Sequence, residues 1–337
     1  MDDLVLTLTA RAMGTRFELV LVAPGARGLE EAARQRATNQ LRAAGEAALE
    51  QIHDTEQRWS LFLATSRLTR LNNQGHLTPL VLDQDDLELW STALEVHAAS
   101  GGAFDPDVAR AMHAAGFHED HDRRAELGPR PELHEPAPAG ELRLEGRHLS
   151  LTAAGPSLDL GGIAKGHALD RAARELREAG VTAALLHGGT SSVLAIGAPP
   201  GQDAWQVRAP LGDAEGELTI ALSDLALAAS RSDSQRNAAG TGHILDPRTG
   251  LASAEATSSL VLAPSAALAD AWATALCIDP TRRAAAEAMG VQVLVPRLAD
   301  RPDAIAGQTA SGQPDPAEVP GTPTPSNPGP APSRSPR

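Results

Sequence analysis

The 337-residue chain is poor in cysteine, in aromatic residues and in basic charge, and each shortage argues against a class of protein. Its one cysteine, Cys277, excludes an intrachain disulfide and any cysteine-rich metal site. Four Trp, four Phe and no Tyr leave Ala, Leu and Val to build the core. The net charge of −14 argues against a nucleic-acid-binding protein, because such proteins present a basic face. No stretch approaches the ~20 apolar residues of a membrane span.

The start of the chain lacks the features of an export signal. It reads Met1-Asp2-Asp3, whereas a signal peptide begins with basic residues and continues with an apolar stretch. There is also no cysteine near the start that could carry a lipid anchor. We therefore expect a cytoplasmic protein, and export stays open if the natural start lies upstream.

The hydrophobic pattern predicts a mixed α+β fold. It predicts strands at 3–10, 16–23, 182–187, 191–197, 204–209, 217–222, 258–263 and 291–295, and a hairpin at 141–153. It predicts helices at 29–58, 84–99, 107–115, 266–278 and 281–289, and another that follows 159–166 and ends near Gly180. Strands and helices do not alternate strictly, which disfavours a doubly wound parallel sheet. We expect one catalytic domain at 1–299 and a Pro-, Gly- and Ser-rich disordered tail at 300–337.

Lysine is almost absent, because 28 of the 29 basic residues are Arg and the remaining one is Lys165. The segment 159–166, DLGGIAKG, places two glycines and this lysine at the start of a predicted helix. Free N–H groups and the helix dipole attract anions at such a position, and a lysine adds a compact point charge. The other interpretation is an ordinary tight turn capped by Asp159, with the single lysine there by chance.

Asp270 and Thr274 lie four residues apart on the predicted helix 266–278, so they point from one face. Carboxylate and hydroxyl oxygens suit Mg²⁺ rather than zinc. One carboxylate is enough only if substrate phosphates complete the coordination sphere. The alternative is an exposed Asp and a Thr that bonds back to its own helix.

The segment 243–250, HILDPRTG, ends a strand in a turn. His243 could act as a general acid or base near neutral pH. A single histidine beside a turn is more often structural, and both interpretations stay open.

Three of the eight aromatic side chains, Trp59, Phe62 and Phe104, fall in predicted loops. Rings placed in loops indicate a planar ligand on which they stack, although small satellite cores would explain them equally well. Cys277 stands among Ala and Leu residues and is expected to be a small buried hydrophobe.

Together these segments resemble the ApbE family of FAD:protein FMN transferases. The matching stretches, in chain order, are AMGT (12–15), WSLFLATSRLTRLN (59–72), GGAFDPDV (101–108), LDLGGIAKGHALD (158–170), HGGTSSVLAIG (187–197), HILDPRTG (243–250) and ADAWATAL (269–276).

The resemblance implies largely antiparallel sheets with packed helices, and a Mg²⁺-dependent transfer of FMN from FAD to a Thr or Ser hydroxyl of an acceptor flavoprotein, with release of AMP. It implies a FAD site lined by Met13, Phe62, Ala103, Phe104, Asp105, Asp159, Lys165 and Ile244. It implies that Asp270, Thr274 and the backbone carbonyl of Gly162 bind Mg²⁺. We take Asp270 and, as the candidate general acid or base, His243 as the catalytic residues, although the sequence does not identify the general base.

The chain departs from the family pattern at several positions. Tyr is usual in the family where Phe62 and His167 stand, and the segment 229–231 lacks the usual Thr-Ser-Gly. The same site could also hydrolyse FAD to FMN and AMP with water as the nucleophile, or bind a flavin without turnover. The presence of Lys165, Asp270 and Thr274 favours catalysis, but the sequence does not separate transfer from hydrolysis.

Overall fold

The computed structural model describes residues 3–117, 141–210, 217–232, 242–252 and 257–295. It confirms a mixed α+β fold in which helices pack on antiparallel sheets. The tail expected at 300–337 lies outside these residues. No helix within the described ranges combines the length and the apolar character needed to cross a membrane.

The strands in the described residues are β1 (Leu4–Ala12), β2 (Thr15–Ala23), β3 (Leu80–Val81), β4 (Leu142–Glu145), β5 (His148–Leu151), β6 (Ala183–Gly188), β7 (Ser192–Ile196), β8 (Trp205–Pro210), β9 (Glu217–Leu222), β10 (Ala226–Arg231), β11 (Leu245–Asp246), β12 (Leu251–Ala252), β13 (Ser258–Ala263) and β14 (Gln292–Val295). The α-helices are α1 (Glu31–Trp59), α2 (Arg67–Gln74), α3 (Gln84–Ser100), α4 (Ala109–Ala114), α5 (Ala164–Glu178), α6 (Ala266–Ile278) and α7 (Arg283–Ala288).

The central sheet has seven strands in the order β1-β2-β6-β7-β10-β13-β14, and each neighbouring pair is antiparallel. One face packs against α1, α5 and α6 in the main core, and the other packs against the hairpin β8–β9. Successive residues of a strand point to opposite faces, so Leu186 belongs to the main core and Leu185 to the smaller one.

Two tight turns lie at the same end of this sheet. Met13-Gly14 joins β1 to β2, and residues 189–191 join β6 to β7. They share an end because Phe17 pairs with Gly188 across β2 and β6.

The strands β10 and β13 also meet at this end, where Arg231 pairs with Ser258. The short hairpin β11–β12 lies between them in the chain, so the HILDPRTG segment leaves from and returns to the same end of the sheet. We call this region, formed by residues 13–14, 189–191, Arg231 and Ser258, the turn end.

The helices α5 and α6 cross with almost no space between their backbones. A Cβ atom on Gly166 would lie 2.1 Å from the carbonyl oxygen of Ala266, so only glycine fits at this point. One helical turn later, the Asp170 carboxylate accepts the N–H groups of Ala266 and Ala267 at 2.7 and 2.9 Å. These contacts anchor the start of α6 on α5.

Most of the predicted elements are confirmed within one or two residues, and the helix 266–278 has the predicted bounds. The strand β10 was not predicted. Its sequence, ALAASR, is rich in alanine, which has low β-propensity, and the segment is a strand because it fills the gap between β7 and β13 in the buried sheet. The helix predicted at 107–115 is shorter in the structure and covers Ala109–Ala114.

We predict that Gly166→Ala lowers the free energy of unfolding by about 3 kcal/mol, the upper end for overpacking, because the new Cβ atom meets backbone that cannot rotate away. Urea denaturation measures the change. Gly28→Ala is the matched control, since a Cβ atom there has no atom within 4 Å. Equal midpoints for the two variants would show that α5 and α6 separate without cost.

Candidate functional site

The segment 159–166 folds as a capped turn that leads into α5. The Asp159 carboxylate accepts the Gly161 N–H at 2.7 Å, as the turn interpretation expected. The helix begins at Ala164, and its cap residue Ile163 offers no side-chain acceptor. The positive end of the α5 dipole is therefore available to other partners.

One of these partners is the carboxylate of Asp270. Its Oδ2 accepts the Gly166 N–H at 2.7 Å, and its Oδ1 accepts the Ser192 hydroxyl at 2.6 Å. Asp270 is only 6% exposed, so the interpretation as a solvent-exposed aspartate is wrong. Burial raises the pKa of Asp270, while the nearby charge of Lys165 and the bonds from Ser192 and Gly166 oppose that rise.

Gly162, Thr274 and Phe104 lie against one another, one turn of α6 beyond Asp270. A Cβ atom on Gly162 would lie 3.2 Å from the Thr274 hydroxyl and 3.2 Å from the edge of the Phe104 ring. The Thr274 hydroxyl also donates to the backbone carbonyl of Asp270 at 3.1 Å, as the alternative interpretation expected. The structure therefore brings Gly162 against Thr274, and Thr274 lies one helical turn after the buried Asp270.

Carboxylate, hydroxyl and backbone carbonyl oxygens are the donor types that suit a hard divalent cation. Asp270 makes no ion pair with any basic residue in the described ranges, so its charge is not matched by a contacting side chain. The described residues contain no group of three His, Cys, Asp or Glu side chains that could hold a metal by itself. A cation here would need further donors from a substrate, as the sequence predicted for a site with one carboxylate.

Lys165 lies in the first turn of α5, half-buried, with its ammonium group 3.3 Å from the carbonyl of Gly161. It is close enough to Asp270 to lower the pKa of that carboxyl. The structure therefore brings the single lysine to the same place as the oxygen donors.

The loop that follows α3 packs against this cluster. Gly101 ends α3 with a φ of 62°, a left-handed conformation that glycine adopts easily. Phe104 is buried, and its carbonyl accepts a bond from Nδ1 of His97 at 3.1 Å. The Pro106 carbonyl accepts the Asp159 N–H at 2.7 Å and ties this loop to the glycine turn. Ala103 and Asp105, which flank Phe104, belong to the same loop.

Met13 occupies the tight turn between β1 and β2 in the left-handed region, with a φ of 50°. This conformation is uncommon for a residue with a side chain. It is held by Glu56 of α1, whose carboxylate accepts the Met13 N–H at 2.7 Å. The turn end thus presents a methionine side chain on a fixed backbone.

The segment 243–250 is held by ion pairs. Arg248 bonds to Asp246 at 2.8 Å and to Asp279, just beyond α6, at 3.0 Å. Ile244 is buried, and the ring of His243 contacts the ring of Phe117 edge to face at 6.4 Å between centroids. Among the described residues, the hydrogen-bond partners of the Asp270 carboxylate are Gly166 and Ser192, not His243.

The prediction that Trp59 is a loop ring available for stacking is wrong. Trp59 is the last residue of α1, is buried, packs edge to face on Trp90 and donates to the Asp86 carboxylate at 2.8 Å. Phe62, in contrast, lies in a loop and is 37% exposed. Cys277 is fully buried, as expected.

The chain is similar in sequence to a known protein family. A sequence model of the ApbE family matches residues 13–295, which is most of the chain. The chain belongs to the ApbE family. It is 29% identical over 255 residues to the FAD:protein FMN transferase of Treponema pallidum, and the match covers 68% of this chain and 70% of that protein. A match to the FAD:protein FMN transferase of Rhodobacter capsulatus is 32% identical over 212 residues, but spans only 40% of that protein.

Solved ApbE structures show the same fold. The flavin transferase ApbE from Vibrio cholerae matches with a TM-score of 0.66 at 24% identity, over 87% of this chain and 93% of that chain. The ApbE protein from Thermotoga maritima gives a TM-score of 0.67, over 87% and 94% of the two chains.

Two residues with contacts at the site were not singled out from the sequence. Ser192 stood within the ApbE-like stretch HGGTSSVLAIG, but no spacing rule connects it to Asp270, which lies 78 residues later. Glu56 lies in the long predicted helix 29–58, and no motif in the sequence distinguishes it from the other acidic residues of that helix. Both are found only when the strands and helices are packed together.

His167, where the ApbE family usually has Tyr, is buried on α5. Its Nε2 has no hydrogen-bond partner in the described residues. Burial, together with the charge of Arg171, lowers its pKa from 6.5 to about 3. His167 is therefore harder to protonate in the folded protein than in the unfolded chain. Its contribution to the free energy of unfolding is fully present above about pH 6.5 and is lost as the pH falls toward 3.

We predict that the melting temperature of His167→Tyr falls less than that of the wild type when the pH is lowered from about 7.5 to about 5. The reason is that unfolding of the variant no longer exposes a histidine that takes up a proton only in the unfolded chain. Thermal unfolding at the two pH values measures this difference. His53→Gln, at an exposed position of α1, controls for the loss of one imidazole. An unchanged pH dependence in His167→Tyr would show that His167 does not contribute to acid sensitivity.

Proposed function

We propose that this chain transfers FMN from FAD to a Thr or Ser hydroxyl of an acceptor protein, with Mg²⁺, and releases AMP. The observation that carries the proposal is the convergence of Gly162, Thr274 and the buried Asp270 carboxylate beside Lys165. It is supported by membership of the ApbE family and by relatives that are named FAD:protein FMN transferases.

The reaction is a phosphoryl-type transfer, in which positioning and neutralisation of charge dominate. The acceptor hydroxyl oxygen forms a bond to the phosphorus on the FMN side of the pyrophosphate, and the bond from that phosphorus to the bridging oxygen breaks. AMP leaves with the bridging oxygen, and the proton of the hydroxyl passes to a base. His243 is the proposed base.

Asp270, Thr274 and the Gly162 carbonyl would hold Mg²⁺. When bound there, Mg²⁺ supplies charge stabilisation to the phosphate oxygens of FAD. The chain contributes the remaining positive elements, namely the start of α5 and the Lys165 ammonium group. These elements are local, because the protein as a whole carries a net charge of −14 and repels an anionic substrate.

The flavin itself needs an apolar surface for its flat ring system. Phe104 borders the oxygen donors, and Met13 and Phe62 supply a thioether and an exposed ring. We propose that these side chains, with Ala103, Asp105, Asp159 and Ile244, line the FAD site. The domain bounds, 1–299 with a tail at 300–337, and the cytoplasmic location stay predictions.

Incubation with FAD, Mg²⁺ and a candidate acceptor domain tests the proposal. The expected result is a covalent FMN adduct on the acceptor, detected by intact mass, with one AMP released for each adduct. Free FMN with AMP and no adduct would instead identify a FAD pyrophosphatase. FAD binding without AMP release would identify a flavin-binding protein and contradict both enzymatic functions.

We predict that Asp270→Asn lowers the rate of AMP release roughly 100-fold or more, since a catalytic metal ion supplies several kcal/mol of charge stabilisation. Thr274→Val removes a neutral oxygen donor and should lower the rate of AMP release roughly 10-fold. Rates measured over a series of Mg²⁺ concentrations check both variants. Asp203→Asn, at an exposed turn, is the control. A wild-type rate for Asp270→Asn at limiting Mg²⁺ would remove α6 from the metal site.

We predict that Lys165→Ala lowers the rate of AMP release about 10²–10³-fold, the scale for the loss of one hydrogen-bond donor aimed at a transition state. Lys165→Arg should fall between Lys165→Ala and the wild type, because its planar head cannot act as a compact point charge. The single lysine also permits a direct readout. An amine-selective acylating reagent can modify only Lys165 and the N-terminal amine, and FAD should protect Lys165 alone. Unchanged labelling at saturating FAD would contradict a phosphate contact.

A further inference from the structure

The Asp270 carboxylate is held by two elements that are far apart in the chain. Gly166 of α5 donates its N–H to Oδ2 at 2.7 Å, and Ser192 of β7 donates its hydroxyl to Oδ1 at 2.6 Å. A carboxylate that accepts one bond on each oxygen cannot rotate about its last side-chain torsion without losing both bonds. Its orientation is therefore set from outside its own helix.

The backbone of Ser192 is fixed by its place in the sheet. It is the first residue of β7 and pairs with Gly188 on one side and with Ala228 on the other. Its side chain is fully buried, so water does not compete for its hydroxyl. The hydroxyl is therefore a fixed donor rather than an adaptable one.

A second hydroxyl supports this bond. Ser191 Oγ lies 3.3 Å from Ser192 Oγ. A hydroxyl has one proton, and Ser192 gives its proton to Asp270, so Ser191 must be the donor to Ser192. Two serines in sequence thus form a short chain of hydrogen bonds that ends on the carboxylate.

Both groups that donate to the Asp270 carboxylate are electrically neutral. A hydroxyl and a backbone N–H orient a carboxylate without cancelling its negative charge, whereas an arginine in the same place would form an ion pair. Asp270 has no cationic side chain in contact with it among the described residues, and each of its oxygens has a lone pair that these two bonds do not use. That arrangement suits a carboxylate that has to accept a cation.

We propose that Ser192 is a positioning residue, whose hydroxyl holds the Asp270 carboxylate in the orientation in which it binds a divalent cation. This inference rests on the proposed function, because it takes Asp270 as the metal-binding carboxylate. Partners of this kind orient the residues that touch the metal, and their loss typically costs 10–100-fold in metal affinity.

The test is a Mn²⁺ titration of the full chain, with and without FAD, in which the electron paramagnetic resonance signal reports free Mn²⁺. Ser192→Ala should raise the apparent dissociation constant about 10–100-fold. The Mg²⁺ concentration for half-maximal AMP release should rise by a similar factor, while the rate at saturating Mg²⁺ should change less.

Ser259→Ala is the matched control. Ser259 is also a buried serine on a strand beside α6, but its hydroxyl donates to the backbone carbonyl of Ala273 and not to Asp270. It should lower the melting temperature by an amount similar to that of Ser192→Ala and leave the Mn²⁺ affinity unchanged. Should Ser192→Ala fail to fold, Ser192→Cys keeps the size with a weaker donor, and an intermediate loss of affinity is expected.

Two results separate the possible failures. Wild-type Mn²⁺ affinity in Ser192→Ala or Ser192→Cys, together with lost binding in Asp270→Asn, would leave the proposed function intact and show that Ser192 only fills space. Wild-type affinity in Asp270→Asn would instead overturn the metal site itself, and the role of Ser192 with it.

Discussion

The close crossing of α5 and α6 is the constraint on which the rest of the site depends. The two backbones approach so closely at Gly166 that no side chain fits between them, and the Asp170 carboxylate holds the start of α6 on α5. This contact places the Gly166 N–H opposite Asp270, one turn into α6. The first turn of α5, with Lys165, and the oxygen donors of α6 are neighbours because the helices cannot separate.

The charges of the protein are distributed in two different ways. Most arginines with described ion pairs tie structural elements together, as Arg171 does by bonding to Asp54 of α1 and Asp85 of α3. At the site, by contrast, Asp270 receives neutral donors and is influenced by one lysine rather than paired with an arginine. The acids in these ion pairs are neutralised by contact with an arginine, whereas Asp270, like the structural Asp170, is held by neutral donors.

The site lies where several chain segments meet, and the antiparallel sheet explains why. The turns at Met13 and before Ser192 lie at the turn end, and so do the strand ends between which the segment around His243 lies in the chain. Because these turns are tight and their strands are buried, the side chains they carry are held on fixed backbone. The rigid sheet therefore fixes the positions of the residues that lie in these turns.

The sequence by itself determined the α+β class, most element bounds and the grouping of Asp270 with Thr274, because these depend on local periodicity and on the pitch of one helix. The motif order was also enough to indicate the ApbE family. Tertiary structure decided what depends on packing. It made the alanine-rich segment Ala226–Arg231 a central strand, moved Trp59 from a supposed ligand surface into the core, and joined Ser192 to Asp270. All three depend on burial or hydrogen bonding between segments that are distant in the chain. Such contacts form only when the chain is folded, and they produce no periodic pattern of residues from which the sequence could predict them.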